Sequence, residues 1–547
     1  MKREVASYMK LVTAEQMRQI DRATIDGRIV PGPELMENAG RGIAEKLLTG
    51  VMDGSGREKV AIFCGKGNNG GDGFVVGRYL FQAEVDVTIY FIGPIGELSA
   101  DARLNFDRAA GIGMNLIEVT SDDVLPKEID CDYLIDAVFG TGFSRSPRGL
   151  AVEVIKYINR QRGKTIISID LPSGLNADTG QHEGEVVKAD YTFPLALPKY
   201  GLYVSPGREL AGQVYVVPIG IPDYVMDKFE LPVELITPEM VSARLPVRKP
   251  DGHKGDFGKL FVLAGSTGLT GAAAMAAKSA LRSGCGLVKV GCPRTVLPII
   301  ASLAMEATSW PLPDVAKKGA LALRGLGEVR KLAQEHDAVI IGPGLGQHHE
   351  TQELVRRFLS TLDKPAIIDA DGLNALVGHS DVIKARVGQV SERPANNRQE
   401  SGTPALQEIR VPLVLTPHPG EFKSLTGETA PPESDIHRRI KVAINAACGL
   451  KCVMALKGSP TLVADPSGAC YVNPTGNNGM ATGGSGDVLS GAIGSFLAQE
   501  MSAIDASICG VYIHGLAGDF AALDLSERGM IAGDMIDYLP DAFAMVG

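Results

Sequence analysis

Short runs of β-branched and aromatic residues, most of them closed by glycine or a small polar residue, alternate along this chain with segments of helical periodicity. Strands are expected at Val60–Cys64, Val85–Ile92, Tyr133–Val138 and Thr165–Ile169, separated by helical stretches such as Phe74–Phe81 and Val152–Asn159. Parallel strands require crossovers, so this order implies a parallel sheet with helices on both faces. Thr13 followed by Gln16 reads as a capping box that opens a helix before the first strand. The pattern loosens between Ile219 and Pro250, where prolines recur, and then resumes. A strand is expected at Leu260–Ala264, a helix at Gly271–Arg282, and further strands at Leu287–Gly291, Ala338–Ile341, Ala366–Ile368, Pro412–Leu415 and Cys452–Leu456. Two long helices, Val488–Gln499 and Ala503–Leu525, close the chain. Because 547 residues exceed what one core holds, two α/β domains are expected, 1–225 and 226–547. Residues 385–408 are polar and without pattern, and are expected to form a mobile loop.

Composition removes several classes of function. With 45% hydrophobic and 22% charged residues the chain has neither disordered nor membrane character. A net charge of −10 argues against a nucleic-acid carrier, which would show a basic stripe. The N-terminal residues lack the apolar core of a secretory signal, and no stretch of about 18 apolar residues suggests a membrane span. A cytoplasmic location is expected. The eight cysteines form no CxxC pair and no zinc spacing, so reduced, buried thiols are expected.

The first expected strand runs into Gly65-Lys66-Gly67-Asn68-Asn69-Gly70-Gly71-Asp72-Gly73. Its first six residues satisfy the dinucleotide fingerprint G-x-G-x-x-G, with Glu84 or Asp86 near the position of the ribose-binding acid, so a dehydrogenase is one reading. Two asparagines and an aspartate, however, put side-chain oxygens where such a loop offers bare backbone. Those oxygens suit a hard cation, a ribose or an amide, and a tight turn capped by Asn and Asp remains the alternative. Two later strands end similarly, in Asp136-Ala137-Val138-Phe139-Gly140-Thr141-Gly142 and in Asp170-Leu171-Pro172-Ser173-Gly174. Parallel strands present their C-terminal ends on one edge, where ligands bind. Asn69, Asp136 and Ser173 are therefore expected to converge on one cation, leaving Asp170 for acid–base work.

In the second half the run Asn473 to Asp487 (NPTGNNGMATGGSGD) precedes a helix whose apolar face repeats at period 3.6. Gly483 to Gly486 would then offer free backbone N–H groups at a helix N-terminus, an anion hole for a phosphoryl group. Asp487 at its mouth is placed to take a proton from an attacking hydroxyl, or else to serve as a helix cap. Lys457-Gly458-Ser459-Pro460-Thr461 adds a cation and small hydroxyls, although no Walker loop occurs. Asp369 and Asp371 are possible phosphate or metal contacts at another strand end, and His418, held between two prolines, is a candidate substrate contact.

The motifs GKGNNGGDG, DAVFGTGF and DLPSGLNADTG resemble those of the NAD(P)H-hydrate epimerase domain over about residues 10–220. The resemblance implies a Rossmann-like fold that interconverts the R and S forms of hydrated NADH and NADPH. It implies substrate contacts at Asn68, Asn69, Gly70, Gly71 and Asp72, at Gly140, Thr141, Gly142, Phe143, Ser144, Arg145 and Ser146, and at Asp170, the acid–base residue. It also implies potassium at Asn69, Asp136 and Ser173. From about Leu245 onward, HKGDFG, GPGLG, DADGLNAL, LTPHPGEF and GSGD resemble the ADP- or ATP-dependent NAD(P)H-hydrate dehydratases, which have a ribokinase-like fold. There the nucleotide phosphorylates the C6 hydroxyl of the hydrated ring, and loss of phosphate restores the reduced nicotinamide. Ala272, Gly344, His418 and Asp487 would contact the hydrate, and Asp487 would be catalytic. Lys457, Gly458, Ser459, Pro460, Thr461 and Gly486 would hold the nucleotide, with Mg2+, and a homo-oligomer is expected. Three other readings stay open: a small-molecule kinase whose product remains phosphorylated, a first half that binds without turnover, and an NAD(P)-dependent oxidoreductase.

Overall fold

Strand β1 (Lys59–Cys64) is buried on both faces, as a parallel strand covered by helices must be. Ile62 and Cys64 pack into one apolar layer, Ala61 and Phe63 into the other. Its partners are β2 (Asp86–Ile92), β3 (Asn115–Val119), β4 (Tyr133–Ala137), β5 (Thr165–Ile169), β6 (Tyr191–Phe193) and β7 (Gln213–Val214). All pair in parallel, in the order β3-β2-β1-β4-β5-β6-β7. The chain leaves β1 toward one edge and returns at β4 to build the other, so the strand order reverses between β1 and β4. A crevice opens at their carboxyl ends, where such folds bind ligands. This computed structural model describes residues 9–54, 58–143, 145–316, 318–384 and 411–547. Ser144 and the 385–408 segment lie outside the described residues. The chain divides into two units, Met9–Val233 with Glu433–Ile436, and Glu234–Pro432 with His437–Gly547.

Helices of the first unit include α1 (Ala14–Asp26), α2 (Gly32–Lys46), α3 (Asn68–Gln82), α4 (Ala100–Gly111) and α5 (Leu150–Arg160). The capping box of α1 forms as read: the Thr13 hydroxyl accepts from Gln16 N, and the Gln16 side chain accepts from Thr13 N. Helix α3 starts at Asn68, well before the expected Phe74, so NNGGDG is helix and not loop. Its glycines cost helix propensity, about 1 kcal/mol each, and close packing offsets that. A Cβ on Gly71 would stand 2.7 Å from the Met36 sulfur of α2, and one on Gly73 2.7 Å from Cys64 Sγ. A Cβ on Gly70 would stand 1.9 Å from Gly65 O, a backbone atom that cannot yield. Gly70→Ala is therefore expected to destabilise the first unit by about 1–3 kcal/mol or more. A denaturant midpoint unchanged from wild type would contradict this.

The second unit holds β8 (Val233–Leu235), β9 (Lys259–Leu263), β10 (Leu287–Pro293), β11 (Thr308–Leu312), β12 (Ala338–Ile341), β13 (Ala366–Ile368), β14 (Leu413–Leu415), β15 (Val453–Leu456), β16 (Leu462–Ala464) and β17 (Cys470–Val472). Their order is β11-β10-β9-β12-β13-β14-β15-β16-β17-β8. Pairing is parallel from β11 to β15 and antiparallel through β16 and β17. Its helices include α6 (Thr270–Arg282), α7 (Pro419–Thr426), α8 (Ser485–Ala498), α9 (Ala503–Gly529) and α10 (Ala532–Val546). Helices α6 and α8 approach closely: a Cβ on Gly491 would meet Ala276 O at 2.4 Å. Contrary to expectation, α9 is long and apolar enough to cross a membrane by length and composition, but 72% of that stretch is buried inside the unit, which makes it a core helix. All eight cysteines are free thiols, and only Cys448 is exposed.

Candidate functional site

A cavity of about 910 Å3 lies at the reversal point of the first sheet. Its wall is built from the turns after β1 and β4, from Asp170 after β5, from Lys199 after β6 and from the α1 face carrying Met17, Asp21 and Ile25. Asn68, Asn69, Asp72, Gly140, Thr141, Gly142 and Phe143 all line it. Gly70 and Gly71 are buried within α3, Arg145 and Ser146 are not part of the lining, and Ser146 Oγ donates instead to Glu183 Oε2 at 2.9 Å. Arg148 stands on the lining. Phe139 and Phe143 stack with ring centroids 4.0 Å apart, a flat apolar wall.

Asp170 adopts φ +64°, a conformation that costs a non-glycine residue about 1–3 kcal/mol. Its carboxylate is fully engaged. Oδ2 accepts from Thr141 N at 2.7 Å and Thr141 Oγ1 at 2.5 Å, and Oδ1 accepts from Lys199 Nζ at 2.7 Å. Lys199 is 1% exposed and also donates to Leu195 O at 3.0 Å. Burial alone would raise the Asp170 pKa, but Lys199 and Thr141 outweigh it and hold the carboxyl below its ordinary value. Its neighbours go the other way. Burial, assisted by Asp170, pushes Asp21 up to about 6 against the pull of Lys199. Burial, with Asp170 and Asp21 adding, pushes Asp72 well above the usual carboxylate range.

Beside this group, Asp136 is wholly buried and accepts four hydrogen bonds: from Ser173 Oγ (2.5 Å), Ser173 N (2.8 Å), Ser168 Oγ (2.9 Å) and Val138 N (3.1 Å). Ser173 Oγ also accepts from Phe139 N at 2.8 Å. A Cβ on Gly140 would meet Asn69 Oδ1 at 3.0 Å, so Asn69 and Ser173 flank the same turn. Both polar atoms of the Asn69 amide are buried without a partner, the kind of orphan a ligand satisfies.

In the second unit the turns after β9, β12, β13, β14 and β15 gather at one sheet edge with the N-terminus of α8. Lys457 Nζ donates to Asp369 Oδ1 at 2.8 Å and lies 3.9 Å from Glu421 Oε2, while Ser490 Oγ of α8 donates to Asp369 Oδ2 at 2.7 Å. Asp369 is thus spent on anchoring a lysine and a helix. Asp371 Oδ2 accepts from Gly346 N at 2.8 Å, which ties two of the loops together. A Cβ on Gly486 would lie 3.1 Å from Lys457 Nζ and 3.5 Å from Asp369 Oδ2. A Cβ on Gly344 (φ +60°) would lie 3.0 Å from the Ala272 side chain, so those two expected hydrate contacts adjoin each other. His418 caps α7: its Nδ1 accepts from Gly420 N at 3.0 Å, and Glu421 Oε2 accepts from His418 N at 2.8 Å. The Thr461 hydroxyl donates to Gly458 O at 3.1 Å within the KGSPT turn.

The cap of α8 is Gly484, with φ +100° and no side-chain cap bond. Asp487 is therefore a first-turn acid that caps nothing. Burial, then Asp369, Asp371 and Glu421, push it up to about 7, with Lys457 opposing. Burial pulls on Lys457 in the other direction, but Asp369 and Glu421 outweigh it and keep its ammonium charged. Burial likewise raises Glu421. The sequence reading missed Lys199, Asp21, Glu421 and Ser490. For Lys199 a signal existed: a lysine amid PLALPKYGL is placed to be buried and then needs an anion. Glu421 stood in a quoted motif without a role.

These features define a class: a Rossmann-like unit with a switch-point cavity, joined to a ribokinase-like unit with a lysine and several carboxylates gathered at the glycine-rich start of a helix. The family profile described as NAD(P)H-hydrate dehydratase matches residues 260–541, and that of the YjeF-related protein N-terminus matches 32–201. The chain is 38% identical to the bifunctional NAD(P)H-hydrate repair enzyme Nnr of Moorella thermoacetica, over 97% of this chain and 96% of that one. It is 33% identical to the Escherichia coli protein of the same name, over 96% and 92%. A solved Bacillus subtilis ADP/ATP-dependent NAD(P)H-hydrate dehydratase, co-crystallised with ATP and Mg2+, is 32% identical with a TM-score of 0.45, covering 57% of this chain and 98% of that one. The chain belongs to the family of bifunctional NAD(P)H-hydrate repair enzymes.

Proposed function

We propose that the second unit, about residues 226–547, dehydrates the S form of hydrated NADH and NADPH at the expense of ADP, or ATP, and that the first interconverts the R and S forms. The observation that carries the first half of this reading is the meeting of Asp487, Lys457 and Gly486 at the N-terminus of α8. The N–H groups of Gly483, Gly484 and Gly486 (Ser485 N donates to Thr482 O at 3.4 Å) and the Lys457 ammonium receive the transferred phosphoryl group, and the turn from Gly458 to Thr461 holds the rest of the nucleotide, which brings its own Mg2+. Ala272, Gly344 and His418 seat the hydrate, and Asp487 takes the proton of the C6 hydroxyl as its oxygen attacks phosphorus. Hydroxide is a poor leaving group and phosphate a good one, so the phosphorylated ring expels phosphate, loses a C5 proton and regains its double bond.

In the first unit Asp170 exchanges a proton with the hydrated ring, while Asn68 to Asp72 and Gly140 to Phe143 hold the dinucleotide. Asn69, Asp136 and Ser173 hold potassium. The donor set fits a monovalent ion, with one carboxylate and neutral oxygens, and the orphaned Asn69 amide supports a ligand there. When bound, the ion supplies charge that orders the turns after β4 and β5. Exchanging potassium for a bulky organic cation is expected to slow consumption of R hydrate and leave that of S hydrate unchanged. Equal loss for both forms would contradict the assignment.

A further inference from the structure

We infer that Asp21 of α1 is a second proton-transferring residue in the cavity of the first unit, the partner of Asp170 in inverting C6. The inference rests on the epimerase reading of that cavity and deepens it. Inversion at a carbon bearing both a hydroxyl and a ring nitrogen needs no redox step, but it needs two proton carriers. The Asp170 carboxylate takes the hydroxyl proton and the C6–O bond becomes a carbonyl. The C6–N1 bond breaks, and N1 receives a proton from an acid. Rotation about the freed C5–C6 bond presents the other carbonyl face to N1, and closure returns both protons. The base must start ionised, and the acid must start protonated and be able to take its proton back.

The cavity holds one group of each kind. Asp170 has Lys199 as its counter-ion at 2.7 Å and is held ionised. Asp21 lines the same cavity from α1, one helical turn from Met17 and one from Ile25, which also line it. Lys199 and Asp170 are the groups that act on Asp21, and together with burial they set it at about 6. Carboxyls whose environments push them apart are how one site houses both an acid and a base. Of the other charged groups on the lining, Arg18 is paired to Glu15 at 2.8 Å, Lys66 is paired to Glu97, Asp101 lies on α4, and Arg148 comes from the turn before α5. Asp72, on α3, is pushed well above its ordinary value by burial, with Asp170 and Asp21 adding. The short helix Asp223–Met226, which also packs against α1, brings only the exposed Asp223 and Tyr224. An acid that must act in both directions works best with a pKa near the working pH, and Asp21 meets that condition.

The test uses the full chain and pure R hydrate without nucleotide, following appearance of the S form by chromatography. Asp21→Asn is expected to lower kcat by about 10²-fold or more, with KM nearly unchanged and with nucleotide-dependent S consumption unaffected. Asp21→Glu, which keeps the acid, is expected to retain most of the rate. The wild-type kcat is expected to fall as pH rises past about 6, as Asp21 loses its proton, and that limb is expected to vanish in Asp21→Asn. Wild-type turnover by Asp21→Asn, a defect confined to KM, or a wild-type profile flat on the alkaline side overturns the inference. The wild-type profile reads it even if the variant misfolds. A wild type that does not accelerate R-to-S conversion at all overturns the epimerase reading itself.

Discussion

Asp487→Asn is expected to slow nucleotide-dependent return of reduced nicotinamide by about 10²- to 10⁴-fold while leaving nucleotide binding intact. Asparagine preserves the shape at the first turn of α8 but cannot accept the hydroxyl proton. Since Gly484 and not Asp487 caps the helix, the substitution removes no cap and is expected to leave stability nearly unchanged. The group sits at about 7, so wild-type activity should rise with pH through neutrality as the carboxylate ionises, then level off. A general base is active only when deprotonated, which fixes that sign. The variant should lose the rise along with the rate. Activity within a few-fold of wild type, or a wild-type profile that falls through neutrality, would show that Asp487 moves no proton.

The largest stability effect is expected from Lys199→Met. Methionine fills a similar space but leaves the Asp170 carboxylate buried with only Thr141 to bond it. Breaking a buried pair by deleting one partner costs about 3–5 kcal/mol. The pH dependence follows from the direction of the Asp170 shift. In the wild type its depressed pKa contributes stability above the ordinary carboxylate range, which is lost as pH falls. In the variant an unpaired buried carboxylate has a raised pKa and destabilises the neutral-pH state. The gap between the two proteins should therefore be widest near neutrality and close toward acid pH. The chain has one tryptophan, Trp310, in the second unit, so its fluorescence reports that unit while far-ultraviolet circular dichroism reports both. Adding Asp170→Asn to Lys199→Met should recover much of the loss. A single variant as stable as wild type at neutral pH would mean that the pair is not a buried ion pair in solution.

The contrast between Asp170 and Lys199 shows where the sequence is readable. Asp170 follows the isoleucine-rich strand Thr165–Ile169 and opens a Pro-Ser-Gly turn, so both its place at a strand end and its exposure to a crevice can be inferred. Lys199 follows β6, a strand of three residues, too short to carry a periodic signal. Its partner lies 29 residues away, a pairing that only the crossover of the parallel sheet brings about. Asp21 sits on a helix legible from its capping box, but no local feature shows that this helix face closes a cavity. The GKGNNGGDG segment misled in a different way. Glycine and asparagine favour turns locally, yet α2 lies close enough that only glycine fits, and packing overrides propensity. In the second unit the glycine run before α8 was legible because it combines a positive-φ residue, a helix start and an acid within a few positions. The lysine–aspartate–serine link across β13, β15 and α8 was not, because its members are far apart in the chain, two from turns after different strands and one from a helix.

Mixed R and S hydrates of NADH or NADPH, incubated with the full chain, potassium, Mg2+ and either ADP or ATP, put both units to work in one assay. Return of the reduced-nicotinamide absorbance is the readout. Conversion of both forms to completion is expected, with AMP and phosphate released from ADP, or ADP and phosphate from ATP. Arrest after the S fraction would contradict the role of the first unit, and a stable phosphorylated product or no return of absorbance would contradict that of the second.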